Sequence, residues 1–217
     1  MHNKVIVVDG ARVWTGSTNP TENGVNNNNT LVIESAVIAE NYVTEIEEMY
    51  MQYQLGETKM VKPTPHPVTE IDGVVVENYF APEDNVEDRI LEELDNASSS
   101  IYFIVFTFAS NPIEQELIEK YNAGVDVKGI FEARQTGAYS AFDPMLQAGI
   151  PVIKDQNGCT MHHKVFIIDN STTITGSFNP TKAADTKNDE NIVIVHDAGF
   201  TSEYLDEFNK LWSEWET

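Results

Sequence analysis

This 217-residue chain is short of cysteine and, beside its acids, of basic residues. A single cysteine, Cys159, excludes an internal disulfide and a metal site built from several thiolates, and it assigns no compartment. No apolar run approaches the roughly 20 residues that a bilayer-spanning helix needs, and the chain does not open on a basic stretch followed by an apolar one. Only 13 bases stand against 35 acids, giving a formal charge of -22. That shortage argues against a broad basic face for nucleic acid, so any anionic substrate must be met by a local cationic pocket. A solvated acidic surface accounts for the charge more simply than a cationic partner does, since at about 1 M salt a Debye length of about 3 Å hides it from ligands. Low complexity is missing too. With 41% apolar and 10% aromatic residues, the composition is that of a folded globule.

What the chain does contain is an internal repeat. Met1 to Thr21 (MHNKVIVVDGARVWTGSTNPT) lies over Met161 to Thr181 (MHHKVFIIDNSTTITGSFNPT) without a gap, and 11 of these 21 positions are identical. With a slip of one or two residues the echo continues. TLVIES at 30 to 35 matches NIVIVHD at 191 to 197, and ENYVTEIEEMY at 40 to 50 matches SEYLDEFNKLW at 202 to 212.

Each copy reads as strand, turn, strand, loop, strand, helix, with the β-branched runs at Val5 to Val8 and Val165 to Ile168 as buried strands. In the last helix Tyr204, Leu205, Phe208, Leu211, Trp212 and Trp215 recur at helical spacing and belong to the core, with Thr201 or Ser202 placed to cap its start. Between the copies, an Asn85-capped helix leads to the apolar strand at 101 to 108. A second helix carrying Ile113 and Leu117 leads to VDVKGIF at 125 to 131. Alternation of this kind predicts an α/β fold with a mixed, largely parallel sheet flanked by helices. The Pro-rich KPTPHP at 62 to 67 divides the halves. Residues 1–61 are expected to be the later part of a first half that lacks its opening, 62–72 a linker, and 73–217 a complete second half.

The chemistry sits in the repeat. His2, Lys4 and Asp9, and again His162, Lys164 and Asp169, satisfy His-x-Lys-x4-Asp, and the period of two on a strand puts each His and Lys on one face. Cleaving a phosphodiester takes a nucleophile, a proton donor for the leaving oxygen, and donors on the nonbridging oxygens. The two copies supply these, with Ser17 and Asn19, and Ser177 and Asn179, as neutral phosphate-binding donors in Gly-Ser-x-Asn turns. The sequence shows no clustered carboxylates or cysteines for a two-metal alternative, and no cofactor is expected.

These paired motifs, each followed by Gly-Ser-x-Asn, resemble the phospholipase D superfamily over essentially the whole chain, with KNDENIVIV at 187 to 195 adding to the likeness. The resemblance implies two phospholipase D-like halves and a ping-pong hydrolysis. One motif histidine forms a phosphohistidine; the other protonates the leaving alcohol and then activates water. Motif order makes His2 the nucleophile and His162 the acid and base, with Lys4, Lys164, Asn19 and Asn179 on the phosphoryl oxygens. The resemblance also places Glu190 where a carboxylate orients an active-site imidazole. Its counterpart in the first copy is expected near Asn29, and an amide there cannot stabilise an imidazolium by charge, so the two histidines should be unequal. Asp9 and Asp169, at the far strand ends, are expected to be structural.

Other features take plainer readings. Gly16 and Gly176 are turn glycines, His66 and His196 ordinary surface histidines, and Cys159 a small residue packed near the strand start that Cys159→Ser should spare. The substrate is expected to be a nucleic acid or phospholipid phosphodiester. The alternatives are an inactive interaction module, and a homodimer through the second half that joins two copies of His162.

Overall fold

The computed structural model describes residues 1–21, 27–51, 53–56 and 63–216. Two sheets carry them. The first copy of the repeat gives a three-stranded antiparallel sheet in the order β1 (Ile6–Val8), β2 (Arg12–Gly16), β3 (Thr30–Glu34), followed by helix α1 (Ala36–Met51). The rest of the chain adds β4 (Val68–Ile71), β5 (Val74–Ala81), α2 (Val86–Asn96), β6 (Ser100–Val105), α3 (Asn111–Asn122), β7 (Asp126–Phe131), α4 (Phe142–Gln147) and β8 (Val152–Lys154). The second copy then supplies β9 (Lys164–Ile168), β10 (Thr172–Gly176), α5 (Lys182–Thr186), β11 (Glu190–His196) and α6 (Ala198–Trp215). The second sheet has eight strands in the order β4-β5-β11-β10-β9-β6-β7-β8.

This is the expected mixed α/β sheet, but its parallel part is smaller than expected. Only β6 with β7 and β7 with β8 run parallel, as helical crossovers dictate; the other pairings are antiparallel. The reason is local. Asp169 and Asn170 (φ 50 and 56) form the tight turn between β9 and β10, and Asp72 and Gly73 (φ 51 and 86) join β4 to β5. Turns this short can link only antiparallel neighbours. The Asp-Gly pair also corrects the expected linker, because residues 68–71 are a strand paired with β5. The expected boundary between residues 61 and 62 lies outside the described residues.

Alternating side chains give the large sheet two apolar faces. Phe103, Phe166, Ile168, Ile174, Ile192 and Ile194 pack with Val86, Ile90 and Leu94 of α2, Ile113 and Leu117 of α3, and Met145 of α4. On the opposite face Ile104, Val165 and Ile167 meet Phe208, Leu211 and Trp215 of α6. Val76, Phe80, Val193 and Val195 meet Ile38 and Tyr42 of α1 together with Val13 and Leu31 of the small sheet. Each fully buried side chain of this size contributes about 1.5–3 kcal/mol, so this shared core ties the two copies together. Helix α6 begins at Ala198, with Asp197 accepting from the Phe200 N–H at 2.7 Å, and Thr201 lies a turn inside rather than at the cap. Cys159 is exposed rather than packed.

Candidate active site

The repeat holds each histidine with residues from the other copy. His2 N–H donates to the Asp189 carbonyl and His162 N–H to the Asn27 carbonyl, both at 2.9 Å. His2 Nδ1–H donates to Glu190 Oε2 at 2.7 Å. His162 Nδ1–H donates to the Ser17 carbonyl at 2.9 Å, with Asn28 Oδ1 at 3.2 Å. In both rings this bond fixes the proton on Nδ1 and leaves Nε2 for chemistry.

The strand register corrects the expected partner of Glu190. Gly16 pairs with Thr30 and Gly176 with Ile192, so Asn29 corresponds to Asn191 and Asn28 to Glu190. The two asparagines also share a job across the copies. Asn191 Oδ1 accepts from Thr15 at 3.1 Å and Tyr42 at 3.0 Å, while Asn29 Nδ2 donates to Thr175 at 2.5 Å and Tyr204 at 3.1 Å. The slip arises in the loop after the Gly-Ser-x-Asn turn, two residues longer in the second copy, where sequence matching has no anchor.

Both glycines before the serines are required by close approach. At Gly16 (φ 129) an added Cβ would stand 2.5 Å from the Asn29 carbonyl oxygen, and at Gly176 (φ 151) 2.2 Å from that of Asn191. The strands meet there, and the following serines turn inward. Ser177 Oγ donates to Glu190 Oε2 at 2.7 Å, and Ser17 Oγ to Asn29 Oδ1 at 2.7 Å. Ser177 thus binds the carboxylate that meets His2, and Ser17 Oγ also reaches Asn28 Oδ1, the amide that meets His162, at 3.3 Å. Asn179 is half-buried, and its Oδ1 has no hydrogen-bond partner among the described residues. Asn19 is exposed.

The lysines converge as the spacing implied. Lys4 Nζ donates to His2 Nε2 at 3.0 Å and to the His2 carbonyl at 2.8 Å, and Lys164 Nζ donates to the His162 carbonyl at 2.9 Å. Burial pushes Lys4 down to about 8 and Lys164 well below the ordinary lysine value; Glu190 opposes the fall at both, and Lys4 adds to it at Lys164. Burial, then Lys164, pushes His162 down to about 3, and Lys4 and His2 add to the effect. The four groups thus share one electrostatic environment that stabilises negative charge. Sequence reasoning missed Phe106, whose ring lies 4.6 Å from the His162 ring and 5.0 Å from Lys164 Nζ. It sits just past the end of β6, inside an apolar run that offered no sign of a special position.

Asp169 stands apart from the reacting groups. It accepts from the N–H groups of Ser98, Ser99 and Ser100 and from the hydroxyls of Ser98 and Ser99, at 2.7 to 2.9 Å. Those bonds hold its carboxyl far below the ordinary range despite the opposing effect of burial. Asp9 takes the same left-handed backbone, with φ 54.

Two His-x-Lys segments, one leading into β1 and one into β9 and not themselves wholly within those strands, are wired to each other across a repeat and define a phospholipase D-type architecture. The model of the family described as cardiolipin synthase, PLD-like domain, matches residues 1–50 and 90–212, and the chain belongs to that family. It is 36% identical to the mitochondrial cardiolipin hydrolase of Chlamydomonas reinhardtii over 125 residues, 57% of this chain and 56% of that protein. It is 30% identical to a phospholipase D of Rickettsia bellii over 159 residues, 73% of this chain and 79% of that protein. The chain therefore spans a little over half the length of the Chlamydomonas hydrolase. Among solved structures, Nuc of Salmonella typhimurium, a phospholipase D family member, matches with a TM-score of 0.61 and 33% identity over 64% of this chain and 95% of that one. Phosphatidylserine synthase of Haemophilus influenzae matches 98% of this chain and 62% of its own at a TM-score of 0.72 and 14% identity, a likeness of fold.

Proposed function

We propose that this chain is a metal-independent phosphodiesterase of the phospholipase D type, cleaving a nucleic acid or phospholipid through a phosphohistidine. The observation that carries this reading is the crossed wiring, in which Glu190 of the second copy orients His2 and Asn28 of the first contacts His162. His2 Nε2 attacks phosphorus while the bond to the leaving oxygen breaks. Before that attack Lys4 exchanges its bond to Nε2 for a phosphoryl oxygen, freeing the lone pair, and Lys164 and the amides of Asn19 and Asn179 join it on the phosphoryl oxygens. The phosphorylated ring is cationic, and the buried Glu190 carboxylate on Nδ1–H stabilises it. His162, protonated at Nε2 as the anionic substrate enters, gives that proton to the leaving oxygen, then takes one from the water that breaks the P–N bond. Ser17 and Ser177 hold the orienting side chains, and Asp9 and Asp169 brace the strand ends.

The names of the relatives speak for phospholipid, and nucleic acid is the alternative that the same phosphodiester chemistry serves. Single-stranded DNA and phosphatidyl lipid assayed across a salt series discriminate them, because the charge of -22 repels a polyanion most at low salt. A phosphoenzyme trapped by an alkaline denaturing quench, which preserves the acid-labile P–N bond, should disappear in His2→Asn and persist in His162→Asn; no trapped species in any variant defeats the mechanism and favours the inactive interaction module. We read residues 1–61 as part of a first half and the second half as opening at β4, with Val68. Turnover retained in His2→Asn and lost in His162→Asn would mark a homodimeric site joining two copies of His162 through the second half, and loss in both variants one site per chain.

A further inference from the structure

In one copy of the repeat a polar set closes on itself. Asn3 Nδ2 donates to Glu45 Oε1 at 3.2 Å, and Asn3 Oδ1 accepts from Asn191 Nδ2 at 2.8 Å. The strand register and the repeat put His163, Glu207 and Asn29 at the matching positions in the other copy. There the same positions line a cavity of 340 Å³, together with Asn27, Asn28, Glu203 and Tyr204. His163 is 5% exposed, and its Nδ1 has no hydrogen-bond partner among the described residues.

The chemistry of the wall narrows that ligand. Burial, with Lys164 and Lys210, pushes His163 down to about 3, so the ring is neutral and one of its two nitrogens carries a lone pair. Glu203 and Glu207 bring two carboxylates, of which Glu207 also binds Lys210 Nζ at 2.9 Å. Asn27, Asn28, Asn29 and Tyr204 complete the lining, and a cation with several N–H donors complements its carboxylates and aromatic ring.

We propose that this cavity binds the ammonium group of an amino alcohol or short polyamine. At about 30 Å³ per water its volume corresponds to about ten waters, ample for such a molecule. Asn28 belongs both to the cavity wall and to the contacts of His162 Nδ1, so an occupant would touch a residue that orients this ring. Binding stands on the cavity alone; any effect on rate rests on the phosphodiesterase reading. The ammonium could come from the substrate's own alcohol or from a free amine.

The test titrates the full chain with ethanolamine and with spermidine, following the His163 ring by NMR and binding by calorimetry. Saturable binding that moves the His163 resonances is expected, weakened about tenfold or more in Glu203→Gln/Glu207→Gln through loss of the charged acceptors. No saturable binding, or affinity unchanged in that variant and in His163→Gln with both folded by circular dichroism, overturns the proposal. Ethanolamine that competes with an aminoalkyl phosphodiester, and not with an amine-free one, identifies a substrate headgroup site; a change in kcat without competition identifies a free effector. Because binding and NMR need no turnover, an inactive protein would defeat the phosphodiesterase reading and leave this one standing or falling separately.

Discussion

Replacing Glu190 by Gln tests the site at its most asymmetric point. The side chain is fully buried, accepts from His2 and Ser177 at 2.7 Å each, and raises the pKa of both Lys4 and Lys164 against their burial. Gln keeps the volume and an acceptor but removes the charge. A hydrogen bond to a charged group contributes about 1.5–3 kcal/mol, and if the cationic phosphohistidine depends on it, kcat should fall about 10- to 150-fold. A second effect has a definite sign. Lys4 must be charged to hold phosphate, and its pKa of about 8 is sustained by Glu190. In the variant that pKa drops, so the alkaline limb of kcat/KM should move to lower pH. The assay is a pH series of kcat and kcat/KM on a chromogenic phosphodiester, with folding checked by circular dichroism. A kcat within threefold of the parent and an unmoved alkaline limb would refute both parts of the reasoning.

Asp169→Ala should unfold more easily by about 2–3 kcal/mol in urea, since it leaves three backbone N–H groups at 98–100 without their acceptor; kcat of the folded protein should hardly change, and a stability loss under 0.5 kcal/mol would count against the strand-end role. Stability should also fall with acid in a particular window. His162 and His163 are held near 3 when folded against an ordinary value of 6.5, so the unfolded chain binds more protons between those values. Their contribution is present above about pH 6.5 and is lost as pH falls toward 3. His163→Asn should flatten that loss in urea titrations at successive pH values, and an unchanged slope would show that the ring is not buried in the neutral form.

The sequence carried the chemistry further than the topology. While Glu190 came from the family resemblance, eleven identities in 21 positions singled out both histidines and both lysines, because a repeated pattern survives any uncertainty about tertiary placement. It could not align the loop after each Gly-Ser-x-Asn turn, so Asn29 stood where Asn28 belongs. Hydrogen-bond register, a property of paired strands, decides that position. The Asp72-Gly73 turn was legible and was passed over beside the proline-rich stretch that precedes it. The contacts of Phe106 were not legible, since an aromatic at the end of an apolar run looks the same whether it stacks on a core ring or on an imidazole.

The charge that first set this chain apart meets the site in an unexpected way. The protein is strongly acidic, yet its site groups are starved of negative charge: burial drives Lys4, Lys164 and His162 toward their neutral forms, and Glu190 opposes this only at the lysines. An anion entering the site stabilises the charged form of each, raising its pKa, and a raised pKa at fixed pH means proton uptake. Binding of a phosphate mimic such as tungstate at about pH 8 should therefore take up on the order of half a proton or more, most simply at Lys4. Calorimetry in buffers of different ionisation enthalpy measures it directly. A binding enthalpy independent of buffer would mean that the lysines are already charged in the empty site, and that burial does not set the protonation of the catalytic groups.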